Sequence, residues 1–288
     1  FGRGGTWGGG ILMAYENVPE NKRSFYAAIP QIGLPIGFGL SSILIAVPTL
    51  LLPEDIFFTW GWRIPFLAAI ILTLIVIRQK GEMMETEDYK KAQAKLEAEE
   101  AEGKKHKVGF IPMVKGYWKT LLLGCGTRWG DGTFYNIFIV WILSYCINWL
   151  GMPLIQTYII TIIACIFKIP FTLFGGWCAQ KLGNTRTFVI GALASAVLSI
   201  PTLKVIELSK GNLAITIIGI VLGWSIAYNL IWAVISSLWS SYFETEVRYS
   251  GISFVYHVPS FLVAGMVPTI CTLLINYGKG DTIYVGIY

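Results

Sequence analysis

The sequence predicts an all-α, polytopic membrane protein with about eight transmembrane helices, and three observations carry that expectation. Hydrophobic residues make up 55% of the 288-residue chain and charged ones only 14%, against roughly 25% charged in soluble domains. The apolar residues fall in continuous runs long enough to span a bilayer. They show no period-two alternation, which selects helices over a barrel. Lys and Arg gather in alternate connections, the bias that orients multi-pass chains.

A hydrocarbon core about 30 Å thick needs about 20 residues at 1.5 Å each. Spans are expected at residues 1–15, 25–52, 62–77, 118–149, 154–178, 188–206, 213–242 and 250–275, with a ninth beginning at Thr282. Both chain ends lie inside apolar runs, so a piece of a longer protein is expected. In the first span Gly4, Gly5, Gly8 and Gly9 have the small-residue spacing that lets membrane helices approach closely. No strand precedes them, so a phosphate-cradling loop is not expected.

Residues 78–119 hold ten of the 22 Lys and Arg together with eight acids. This mixture reads as a solvated segment and gives no basic cleft for nucleic acid. Within it Glu87/Lys91 and Lys95/Glu99 stand at i, i+4 among good helix formers, so a surface helix linking two bundles is expected. The expected division is therefore residues 1–77 in one bundle, 78–117 in a linker and 118–288 in a second bundle. Alternate connections carry fifteen cations against four, which puts 78–117 in the cytoplasm of a plasma or inner membrane protein. The five cysteines lie in apolar runs without a C-x-x-C pair, and two histidines complete a poor ligand set, so no metal, cofactor or disulfide framework is expected.

Trp60-Gly61-Trp62-Arg63-Ile64-Pro65-Phe66 places aromatics, an Arg and a helix-starting Pro at an outer interface. Together with Gly4-Gly5-Thr6-Trp7-Gly8-Gly9 and Val247-Arg248-Tyr249-Ser250-Gly251, it resembles the metabolite:proton symporter family of the major facilitator superfamily. The resemblance runs over essentially the whole chain. It implies a two-bundle fold of twelve helices, of which this chain would supply helices four to eleven and the start of the twelfth. The outer W-G-W-R-I-P-F motif is matched in full, whereas Thr6 stands where the family has Glu. The loop pattern G-x-x-x-D-R-x-G-R-R falls on Gly176, Gln180, Lys181, Gly183 and Asn184, so its Asp and first Arg are absent. Near the tenth helix's end, Ser241, Glu244 and Glu246 depart from the pattern E-L-F-P-T-R-V-R-Y-T-G. Lys181, Arg186 and Arg248 against Glu244 and Glu246 are therefore candidate gating charges exchanged between loops, the alternative being solvated loop charges. On the exchange reading, neutralising Glu246 changes the rate of inward opening, and unchanged transport with Glu244 and Glu246 both neutralised excludes it.

Ionisable residues inside spans cost a few kcal/mol or more and face a partner or a cavity. Four are found: Arg128, Asp131, Lys168 and His257. Counted from the cytoplasmic ends, Asp131 lies roughly 18 Å deep, Lys168 roughly 16 Å, and Arg128 and His257 roughly 12 to 14 Å, close to the midplane where alternating-access carriers keep their site. Asp131 is the expected partner of Lys168, and Arg128 at i−3 can share its face. Two cations against one acid suit a carboxylate substrate; a closed network that only satisfies buried charges is the alternative. His257 titrates between pH 5 and 8 when unperturbed and so suits proton coupling, as does Asp131; Gln31 is its expected counterpart in the first half. Asn136 and Tyr256 are further substrate contacts, with Tyr135, Trp129, Tyr228 and Asn229 as cavity candidates.

The resemblance implies proton-coupled symport of a small organic acid, shikimate-like or a di- or tricarboxylate, by alternating access. The expected partners are that metabolite, protons and lipid, in a monomer. A carrier of a zwitterion such as proline or betaine and a non-transporting membrane protein or decayed fragment stay open, whereas no site for enzymatic chemistry is evident.

Overall fold

The computed structural model describes residues 6–80 and 110–288. The expected linker helix with Glu87/Lys91 and Lys95/Glu99 lies outside the described residues, as do Gly4, Gly5 and the side chain of Glu246.

Helix α1 covers Thr6–Glu16. Helices α2 (Arg23–Ala28) and α3 (Gly33–Leu51) join through a 3-10 turn, Pro30–Ile32, into one span. A short α4 (Glu54–Thr59), absent from the expected elements, precedes α5 (Ile64–Lys80). Pro53 precedes α4, and Glu54 and Asp55 in its first turn offset the unpaired N–H groups there. Helix α6 (Phe110–Asn136) runs through a π-helical turn, Ile137–Trp141, into α7 (Ile142–Asn148). Then come α8 (Leu154–Leu182) and α9 (Asn184–Leu208). Asn212 caps α10 (Leu213–Ile220), its side chain accepting from the N–H groups of Ala214 and Ile215. A second π-helical turn, Val221–Ala227, leads into α11 (Asn229–Ser240), followed by α12 (Thr245–Tyr277) and α13 (Ile283–Ile287).

Five of these segments are long and apolar enough to cross a membrane: Glu20–Leu51, Leu154–Leu182, Asn184–Leu208, Leu213–Ser240 and Val247–Tyr277. The expected span at 118–149 has the length in α6 and α7, but Lys119, Arg128 and Asp131 lower its hydropathy. Helix α5 is short, and of the first span only Thr6–Glu16 is described. The result is an all-α polytopic membrane fold.

Helix α12 packs along α6, α3 along α8, and α11 between α8 and α9; α2 lies in the angle between α8 and α11. The centre is both aromatic and small: Trp224, Tyr228, Trp239 and Phe138 are fully buried, and so are Ser236, Ser237 and Ser240 of α11. Small residues set the helix separation, because membrane helices associate through close packing rather than hydrophobic exclusion. A Cβ at Gly176 would stand 2.7 Å from the Ala28 Cβ, and one at Gly191 would stand 2.8 Å from the Leu230 Cβ. The outward faces are apolar, as lipid requires: Phe66, Ile71, Leu74 and Ile77 on α5 and Leu193 and Val197 on α9 are exposed.

At the end predicted to be outside, Lys204 binds Glu207 at 2.9 Å and Asp281 at 2.7 Å, and Glu207 accepts from the Thr282 N–H at 2.8 Å. This cluster joins α9 to the turn before α13. The hydrogen bond from Lys204 holds the Asp281 carboxyl below the ordinary carboxylate range.

Gly176→Val should push α8 off α2 and lower stability by about 1–3 kcal/mol. Gly126→Ala, with nothing within 4 Å of the new Cβ, should be neutral. Thermal unfolding of the purified protein followed by tryptophan fluorescence distinguishes them.

Candidate functional site

The site is built around Asp131, which α6 carries into the interior with no exposure. Arg128, one turn earlier on the same helix, forms an ion pair with Asp131 Oδ2. The Tyr228 hydroxyl, reaching across from the end of the second π-helical turn, donates to Asp131 Oδ1 at 2.6 Å. Arg128 is itself held by two groups of α12: its Nε donates to Ser260 Oγ at 2.9 Å, and its guanidinium lies 4.2 Å from the Tyr256 ring centre. One carboxylate thus ties α6 to both α11 and α12.

Lys168 makes no direct ion pair with Asp131, although the acid's charge acts on it from beyond ion-pair distance. Its ammonium is wholly buried on α8 and lies over the Tyr228 ring at 4.5 Å, the Trp224 ring at 4.7 Å and the Trp232 ring at 6.0 Å. Its hydrogen bond goes to the Trp224 carbonyl at 3.4 Å. The π-helical turn frees that carbonyl, because the Tyr228 N–H bonds five residues back to Gly223 at 3.1 Å. The difference from expectation is one of position: Arg128 and Tyr228 donate to the two Asp131 oxygens, and the Tyr228 side chain, bonded to the acid through its hydroxyl, offers its ring to the lysine. Asn229 braces the same place, donating to the Lys168 carbonyl at 2.9 Å and to Thr172 Oγ1 at 3.0 Å.

Beside this network lies a cavity of about 500 Å³ lined by Gln31, Ser41, Phe38, Tyr135, Trp232 and Tyr256, among others, with α3 on one side and α6, α11 and α12 on the other. Its wall is aromatic and uncharged; Arg128 stands behind Tyr256, and Lys168 stands behind Trp232. Gln31 and Trp232 close one end through two reciprocal 3.2 Å bonds, each side chain donating to the other's carbonyl.

The remaining expected site residues are placed as follows. Asn136 is buried but donates to the Gly132 carbonyl of its own helix at 2.8 Å. His257 is exposed on α12, edge-on to Tyr256 at 5.0 Å, and outside the cavity lining, so it does not mirror the buried Gln31. Consecutive helix residues point about 100° apart, so Tyr256 facing inward turns His257 outward. Lys181, Arg186 and Glu244 are exposed and form no ion pair with one another. Arg248 instead pairs with Glu16 of α1 at 2.7 Å and packs on Tyr15, latching α12 to α1. Gln180 fills the place of the missing Asp: it accepts from the Phe25 N–H at 3.3 Å and donates to the Asn21 carbonyl, pinning α8 to the start of α2.

The sequence profile of the Major Facilitator Superfamily matches residues 1–268. The chain belongs to this superfamily. It is similar to the inner membrane metabolite transport protein YhjE of Escherichia coli K12, with 29% identity over all of this chain and 64% of that protein. It is also similar to the shikimate transporter of the same organism, with 27% identity over all of this chain and 64% of the relative. The proline/betaine transporter of that organism is 27% identical over 96% of this chain and 55% of its own length. The chain thus spans just under two thirds of the first relatives it matches.

Within this superfamily member, sequence reading missed Glu16, Ser260 and the pair Trp224 and Trp232. A signal for the tryptophans existed, since Trp224, Tyr228 and Trp232 recur at four-residue spacing and line one helix stripe. Glu16 had none, because its partner lies 232 residues away. Tyr228→Phe should leave one Asp131 oxygen short of a donor and lower stability by about 1–3 kcal/mol, and Tyr135→Phe, lacking that bond, should cost less. Thermal unfolding of both variants checks the order.

Proposed function

We propose that this protein is a secondary active carrier that moves a small organic anion together with protons by alternating access. The observation that carries the reading is the Arg128–Asp131 pair, buried directly behind the cavity wall at Tyr256. A proton on Asp131 would release the guanidinium, and a substrate carboxylate entering the cavity would replace the lost partner. Exchanging one carboxylate for another avoids leaving a buried cation unpaired, which would cost about 3–5 kcal/mol. Proton and anion binding then favour each other. Lys168 adds positive potential from behind Trp232, and Asn136 and Tyr256 complete the proposed substrate contacts. Asp131 is the proton carrier this geometry favours over the exposed His257.

In this reading residues 1–77 and 118–288 belong to two bundles that rock about the cavity, joined by the cytoplasmic segment 78–117 in a cell membrane. The Arg248–Glu16 pair and the Gln180 bonds hold the cytoplasmic ends together, and Lys181, Arg186, Glu244 and Glu246 are the further charges of the proposed gate. A shikimate-like or di- or tricarboxylate substrate follows from the cationic reserve. The aromatic wall of Tyr135, Trp232 and Tyr256 favours a second reading, a zwitterion such as proline or betaine, whose ammonium end would sit on those rings.

In proteoliposomes, Arg128→Gln combined with Lys168→Met should lower uptake of the organic acid at least about tenfold, the worth of about 1.4 kcal/mol. Unchanged uptake excludes the cationic site. Inhibition of uptake by a carboxylate lacking any amine favours the acid over the zwitterion.

A further inference from the structure

Three aromatic faces around one ammonium form the arrangement by which proteins recognise organic cations, quaternary ammonium groups above all. Here Trp224, Tyr228 and Trp232 make that arrangement, and the cation inside it is the chain's own Lys168. No carboxylate lies within ion-pair distance of this ammonium among the described residues. Its one hydrogen bond, to the Trp224 carbonyl, is long at 3.4 Å. The ring faces are therefore its contacting partners, with the Asp131 charge acting from beyond ion-pair distance. Trp232 is shared: its ring lies 6.0 Å from the Lys168 ammonium, and the same residue lines the cavity beside Gln31 and Tyr256. The Trp224 indole Nε1 is buried without a hydrogen-bond partner, so that ring is placed for its face and not for its N–H.

We propose that Lys168 is a built-in occupant of a cation subsite and makes the carrier reject substrates bearing an ammonium or quaternary ammonium group. The inference rests on the organic-anion reading above and supplies its selectivity. A tethered side chain competes at high effective concentration, so a free cation must displace Lys168 from its rings before it can bind. An organic acid without an ammonium end binds at Arg128 and the cavity with Lys168 left in place over its rings. Removing the tether converts the box into an open site for the class of ligand it now excludes.

The test is binding by the purified full chain, measured by titration calorimetry and independent of transport. Truncating Lys168→Ala removes Cγ, Cδ, Cε and Nζ, the heavy atoms of propylammonium. Wild type is expected to show no saturable binding of propylammonium or tetramethylammonium. The Lys168→Ala protein should bind both at least about 30-fold more tightly than wild type, as expected for a desolvated cation over aromatic faces. Adding Trp232→Leu should abolish the gain. If Lys168→Ala does not fold, Lys168→Cys carries the same expectation, with propylammonium present during expression to fill the box. A folded variant that gains no affinity overturns the proposal, as does wild-type binding equal to the variant's. Failure of both variants to fold even with propylammonium present also overturns it. Loss of the organic-anion reading would show instead as unchanged uptake in the Arg128→Gln/Lys168→Met variant, with the binding gain of the separate Lys168→Ala protein still present.

Discussion

Asp131 is a carboxylate taken wholly out of solvent inside a helical membrane protein, and the interior is arranged around its needs. An unpaired charge there would cost several kcal/mol, so each oxygen must find a strong donor. Arg128 supplies one from the adjacent turn, and the Tyr228 hydroxyl supplies the other from across the bundle. Each donor is then constrained in turn. Arg128 reaches Ser260 and Tyr256, which brings α12 against α6, and Tyr228 turns its ring toward Lys168. A buried polar network of this kind holds its helices in one register, because any slip leaves a charge unpaired.

Backbone irregularity serves the same centre. The π-helical turn before Tyr228 advances the chain by one residue and leaves the Trp224 carbonyl for the Lys168 ammonium. Small residues do the complementary task at the helix crossings, where Gly176 meets Ala28 and Gly191 meets Leu230. The helices can therefore approach closely around a core that also holds three large aromatic rings. Arg248 with Glu16 and Gln180 with the turn at Asn21 add long-range polar contacts that join α12 to α1 and α8 to the start of α2.

Much of this was legible in the residues. The buried ion pair followed from Arg128 and Asp131 at i, i+3, and the burial of Lys168 followed from its place inside an apolar run. The partner of Lys168 did not follow, because residue counting gives height along a helix but not the direction a side chain faces around it. His257 shows the same gap: its place inside an apolar run was readable, its outward direction was not. The gate charges were sought among loop residues with opposite signs, while Arg248 found an acid at the end of another helix.

The sequence by itself determined the all-helical membrane class, the five long apolar segments and the identity of the ionisable residues in the helical interior. Transfer of a side chain from water to hydrocarbon is a local property, summed residue by residue along the chain. Only the tertiary structure decided which groups pair. That outcome depends on helix rotation, on π-helical turns and on competition between donors for two carboxylate oxygens, none of which is a property of any single segment. The competition went to Arg128 and Tyr228, and Lys168 was left to a box of aromatic rings.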